Sequence, residues 1–149
     1  MLNIIPSLYR LQERLLRPLS RVEPLLPLAA RLYVGHAFWA SALTKLRDWD
    51  STLFLFQEEY QVPLLPPEVA AYMGTGGELF LPILLAPGLM GRFAALGLSV
   101  VNVVAVLSLA EIEPAALTQH IFWGSLLAWL AVAGPGKWSV DQWLLRDQS

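Results

Sequence analysis

The sequence has no cysteine, which removes disulfides, thiolate metal ligands and dithiol redox chemistry from this chain. Any redox step then belongs to a partner or a bound cofactor. Charge is scarce as well: Asp, Glu, Lys and Arg supply 15% of the 149 residues against 56% hydrophobic, with a mean hydropathy of +0.52, where a soluble domain usually carries about 25% charged residues. That composition points to a membrane protein. A phosphate-binding loop is excluded, because the glycines of "GTGG" (74–77) lack the GxxxxGK[ST] frame. Two widely spaced histidines and one glutamate make no metal signature. The pattern of a cleavable leader is missing too, since Arg10, Arg14, Arg17, Arg21 and several prolines interrupt the first 27 residues. The first long apolar segment is expected to act as an uncleaved anchor.

What is present is a succession of long apolar segments, at about 25–46, 69–89, 93–110 and 117–133, each close to the ~20 residues that cross a ~30 Å hydrocarbon core. They predict an all-α polytopic membrane protein: a bundle of four transmembrane helices with short amphipathic helices at the interfaces. The chain divides into a basic amphipathic segment (1–24), a membrane domain (25–136) and a C-terminal tail (137–149). Basic residues precede the first span (Arg10, Arg14, Arg17, Arg21), lie between the second and third (Arg92) and follow the fourth (Lys137, Arg146). Acidic residues dominate the opposite segments: Asp48, Asp50, Glu58, Glu59 and Glu68, then Glu111 and Glu113. By the positive-inside rule both termini are cytoplasmic.

Two flanking segments read as interfacial. In "SLYRLQERLLRPLSRVEP" the residues Leu8, Leu11, Leu15, Leu16 and Leu19 share one side of a helical wheel, with arginines largely opposite. This suits a helix lying on the membrane surface or, equally, a solvated basic tail that sets topology. "RDWDSTLFLFQEEYQVPLLPPEV" predicts a short amphipathic helix on the outer face, followed by a proline-rich turn, serving as an aromatic belt or lid or as a partner surface.

Charge inside a span demands explanation. Glu78, His36 and Asn102 fall near the midpoints of the second, first and third spans, and an intramembrane carboxylate costs several kcal/mol unless paired, hydrated or protonated. The expectation is one polar cluster of Glu78, Arg31, His36 and Asn102, with Arg31 as the counter-charge. The competing reading has Arg31 snorkelling to the headgroups and Glu78 held neutral. His120 is a candidate for a water-filled entrance or an ordinary interfacial histidine. Gly76 and Gly77 are expected to admit a neighbouring helix, and Pro82 to loosen the backbone one turn past Glu78.

These residues resemble a known family, the DoxX-like four-helix membrane proteins. The first span opens with Arg31 and closes in "SALTKL" with Lys45, the second carries "GGELFLPILLAPGLMGR", and the chain closes in "GPGKWSVDQWL". The likeness runs from Arg31 to Leu145 and places the family's polar pattern on Arg31, Lys45, Glu78, Arg92 and Asp141. It implies an inner-membrane bundle of the kind found in thiosulfate:quinone oxidoreduction, in membrane-associated oxidative-stress complexes or beside peptide-modifying enzymes. On the residues alone, Gly134, Pro135 and Gly136 end the last span, and Ser139 and Asp141 either cap a short following helix or, for Asp141, pair with Arg92 or Arg31.

The leading expectation is a non-catalytic accessory subunit that anchors or organises redox or maturation partners. A quinone-linked oxidoreductase subunit, with quinone as candidate cofactor, and a small-molecule transporter are the alternatives. The expected partners are the lipid bilayer and membrane or soluble proteins, with no nucleic acid.

Overall fold

A computed structural model describes residues 4–146, with side chains from residue 6; the extreme ends of the basic segment and of the tail, 1–3 and 147–149, lie outside the described residues. The described residues form helices α1 (Ile4–Leu16), α2 (Leu19–Val22), α3 (Leu25–Arg47), α4 (Trp49–Glu58), α5 (Pro67–Leu85), α6 (Gly91–Leu107), α7 (Pro114–Ala133) and α8 (Val140–Arg146). Helices α3, α5, α6 and α7 make an antiparallel bundle in which each packs on the next and α7 returns to α3.

Their boundaries follow from local chemistry. Pro67 and Pro114 stand in the first turns of α5 and α7, where a missing N–H costs nothing. Helix α7 stops at Gly134, whose φ of 92° no other residue adopts easily. The second apolar segment ends as a helix at Leu85, four residues short of the expected limit at 89, because the chain turns at Pro87–Gly88 before entering α6.

Each long helix buries one stripe. On α3 it runs Ala30, Arg31, Val34, Gly35, Phe38, Ala42; on α6 it runs Gly91, Ala94, Ala95, Leu98, Asn102, the i, i+3, i+4 spacing of a single helical face. The stripes are rich in small residues, which lets backbones approach. Leu85, Leu98, Leu127, Leu130, Val34 and Phe38 fill the space that remains. The outer surface is strongly apolar: Leu32, Phe80, Ile83, Phe93, Leu96, Val100, Ile121 and Val132 are all exposed. Charge inside and hydrocarbon outside is the arrangement a bilayer favours.

By length and composition one helix, Pro114–Ala133, meets the usual criterion for crossing a membrane; Gly91–Leu107 is apolar but shorter. The other two are diluted by polar residues: α3 carries Arg31, Lys45 and Arg47, and α5 carries Glu68, Glu78, three glycines and a proline beyond its first turn. The expected amphipathic helix of the outer segment is α4, which lies on α5 with Thr52 and Phe56 buried. It is capped by Asp48, whose carboxylate accepts from the Ser51 N–H (3.0 Å) and hydroxyl (2.6 Å).

Candidate functional site

The expected four-residue cluster does not form. Gly35 of α3 lies against Pro82 of α5, and because the two helices run antiparallel, Glu78, one turn before Pro82, lies level with α3 about one turn past Gly35, nearer to Lys45 than to Arg31. Its partner is therefore Lys45, whose Nζ stands 2.5 Å from Glu78 Oε2. Side chains of a helix lean toward its N-terminus, so Lys45 reaches back along α3 into the bundle; its Nζ also donates to Ser41 Oγ at 3.0 Å. The pair is largely enclosed, with side-chain exposures of 21% for Lys45 and 9% for Glu78. Pro82 has no N–H to give to the Glu78 carbonyl four residues earlier, yet α5 continues through it to Leu85.

His36 points away from the bundle and is exposed. It sits off the buried α3 stripe, between Gly35 and the next buried residue, Phe38. Asn102 is buried, and its partner is His120 of α7. Asn102 Nδ2 donates to the His120 carbonyl (3.0 Å), which leaves Oδ1 as the acceptor 2.8 Å from His120 Nδ1. A neutral His120 then carries its proton on Nδ1 and keeps Nε2 as an acceptor. The imidazole stands edge-on to Trp123, with ring centroids 5.2 Å apart.

Glu78, Lys45, Ser41 and His120 line one cavity of about 360 Å³ at the α4 end of the bundle. Its walls are apolar, from Met73, Val100, Val101 and Val104, and its roof is Phe56, Tyr60, Val62 and Leu65 of α4 and the following turn. Phe56 and Tyr60 meet edge to face at 4.9 Å, and the Gln61 N–H donates to the Ser108 carbonyl (2.7 Å), pinning the roof to the end of α6. Burial, with the Glu59 and Glu78 charges, pushes the Tyr60 phenol above its usual range, so it is a protonated donor at neutral pH. The lining thus offers an apolar envelope around a charge-neutral Lys–Glu floor. Lys45 has three N–H donors, of which Glu78 and Ser41 engage two. Ser41, Phe56 and Tyr60 were not expected here from sequence; the lean of Lys45 toward Ser41, four residues earlier, is the signal that could have found the first.

The glycines before Glu78 divide their roles. A Cβ on Gly77 would stand 3.0 Å from Val101 of α6, so this is where the neighbouring helix approaches, whereas Gly76 faces open space. The expectation of a close approach at both positions is corrected to Gly77 alone.

Arg31 occupies the opposite end. It is 1% exposed, so it does not snorkel, and its Nη2 donates to the Trp138 carbonyl at 2.5 Å. Its guanidinium lies over Gly88, where any Cβ would collide with Nη1 and with Ser139. Asp141 caps a helix, but not its own: Oδ1 accepts from the Met90 N–H (2.7 Å) and Oδ2 from the Gly91 N–H (2.8 Å), at the start of α6. Ser139 is the residue that caps α8, accepting from the Gln142 N–H at 3.3 Å. The Val140 and Asp141 N–H groups donate to Pro87 and Gly88 carbonyls. Arg92 is exposed beside Gly134 and pairs with no carboxylate among the described residues.

A helix bundle with an apolar exterior and ionisable groups facing inward is the construction of an integral membrane protein. A family model named DoxX matches residues 26–111, more than half of the chain, and the chain belongs to the DoxX family, a membrane family. The match takes in Arg31, Lys45, Glu78 and Arg92 and stops before α7 and Asp141, a shorter reach than the resemblance to Leu145. No curated protein and no solved structure matches the chain.

Proposed function

We propose that this chain is a four-span subunit of the bacterial inner membrane, with both termini cytoplasmic, that organises partner redox or maturation proteins and holds a small neutral molecule at its outer end. The observation that carries the reading is the Lys45–Glu78 pair on the wall of a half-open cavity whose rim includes the exposed Met73 and Val100. A buried ion pair is a poor way to gain stability, since desolvation offsets most of its Coulomb energy. One that borders an apolar-walled cavity instead offers fixed donors and acceptors to a ligand. Because the two charges cancel, the favoured occupant is uncharged, with a hydrogen-bonding head and an apolar body. A quinone headgroup meets that description, with a carbonyl toward Lys45, and this favours a quinone-linked subunit as the second reading. Passage across the membrane is less favoured: the cavity lies at the α4 end, and toward the other end the bundle interior is filled by the buried Arg31 side chain, bound to the Trp138 carbonyl.

The topology rests on charge: the arginine-rich segments and the acidic ones lie at opposite ends of the antiparallel bundle. The deciding experiment is affinity purification of the full chain from native membranes, with mass spectrometry of proteins and extractable lipophilic molecules. A stoichiometric partner lost from neither wild type nor Lys45→Met supports the organising role, and a quinone lost only from Lys45→Met supports the second reading. A chain recovered alone and empty under mild extraction overturns both.

A further inference from the structure

Helix α1 projects a leucine face that nothing in the described chain covers: Leu8, Leu11 and Leu15 are 59%, 54% and 68% exposed. At about 100° per residue these three fall within ~60° of arc, and Arg10, Arg14 and Arg17 fall together on another side. None of those arginines forms a salt bridge among the described residues. The segment from residue 4 to residue 23 holds four arginines and two glutamates, so its polar face is net positive.

Its place in the fold matters as much as its pattern. Between α1 and the start of α3 lie only the turns around α2, and Glu23 contacts Lys137 at 3.5 Å in an exposed pair, so the end of this segment lies near the start of α8. The exposed Trp138, Trp143 and Leu145 mark that same end, and tryptophans of this kind settle at headgroup level. The α1 leucine face is joined to the bundle at that end.

We propose that α1 lies in the plane of the membrane, its leucines in the acyl boundary and its arginines on anionic phospholipid headgroups. The occupant is a lipid surface and not a protein because the apolar and cationic faces are segregated along the helix, matching a slab that is apolar on one side and anionic on the other. This goes beyond the function proposed above and stands whether or not the cavity holds a ligand.

The cysteine-free chain permits a direct test. Full-length Leu11→Cys and Arg14→Cys variants, each carrying an environment-sensitive fluorophore, are reconstituted in phosphatidylcholine vesicles with or without phosphatidylglycerol. Lipid-borne nitroxide should quench the Leu11→Cys label ~3-fold or more over the Arg14→Cys label, the contrast growing with phosphatidylglycerol and shrinking at high salt. Replacing Arg10, Arg14 and Arg17 by Gln in the Leu11→Cys background should abolish the phosphatidylglycerol dependence. Equal quenching of both labels by aqueous iodide in both lipids overturns the proposal. So does protection of Leu11→Cys that follows protein density and ignores lipid charge, which would assign the leucine face to a second copy.

Discussion

At the Arg31 end of the bundle, charged side chains are bound to backbone: Arg31 to the Trp138 carbonyl, Asp141 to two N–H groups that open α6. At the Glu78 end, Lys45 and Glu78 are bound to each other and border a cavity. The Asp141 caps and the Lys45–Glu78 pair both answer the cost of charge in a low-dielectric interior, whereas Arg31 keeps Nε and Nη1 buried without a hydrogen-bond partner among the described residues. A carboxylate that closes a helix terminus has its acceptors occupied and its position fixed by the fold. A side-chain pair on a cavity wall keeps free donor and acceptor capacity, which a ligand or water can use. Burial of charge alone therefore does not mark a site; the identity of the partner does.

The largest effect is expected where charge meets backbone. Asp141→Ala removes two charge-assisted bonds to otherwise unpaired N–H groups and should cost on the order of 3 kcal/mol. Gly88→Val should be worse, because it combines a φ of 72° with a collision against Arg31 and Ser139. Thermal unfolding in detergent reads both. Wild-type melting in either variant would show that α8 docks without these contacts.

At the other end the effect should be smaller and pairwise. Lys45→Met and Glu78→Gln each strand one member of a buried pair. Partial exposure of Lys45 brings the usual penalty for such a break down to about 2 kcal/mol, and the double variant should recover much of the loss. The same cycle on Arg31→Gln and Glu78→Gln should be additive, because the Gly35–Pro82 contact sets Glu78 about 12 Å along the axis from Arg31, whose side chain is bound to the Trp138 carbonyl. Coupling in the second cycle and none in the first would reverse the pairing described here.

The four long helices and the short α4 were legible in the sequence, as was the inward position of Glu78, because length, hydropathy and the burial cost of charge are local properties. The outward position of His36 was missed: depth alone put it in the cluster, whereas the buried stripe at 31, 34, 35 and 38 leaves it on the other side of α3. Which cation meets Glu78 was not legible either. Assuming equal depth for the midpoints of α3 and α5 selects Arg31, whereas the actual stagger, set where Gly35 packs on Pro82, selects Lys45. Asp141 was hidden for a related reason: its targets, Met90 and Gly91, lie 51 and 50 residues away, and only the return of the chain past the α5–α6 turn brings them together.

The smallest effect sharpens the comparison through the roof of the cavity. Asp48 caps α4 at an exposed position, and its hydrogen bonds from the Ser51 hydroxyl and N–H hold its carboxyl below the usual carboxylate range. A group whose folded pKa is depressed stabilises fully above its unfolded value, near 3.9, and loses that contribution as pH falls through the lower folded value. Wild-type α4 should therefore keep its cap at neutral pH and lose it only in acid. Asp48→Ala should lower amide protection across Trp49–Phe56 at neutral pH and remove most of its acid dependence, once rates are corrected for intrinsic exchange. Protection around Met90 and Gly91, where the carboxylate comes from Asp141, should not change. Loss confined to the first turn of α4, with Phe56 and Tyr60 still protected, would show that the roof is held by its packing on α5 and by the Gln61–Ser108 bond, leaving Asp48 to order only the helix start.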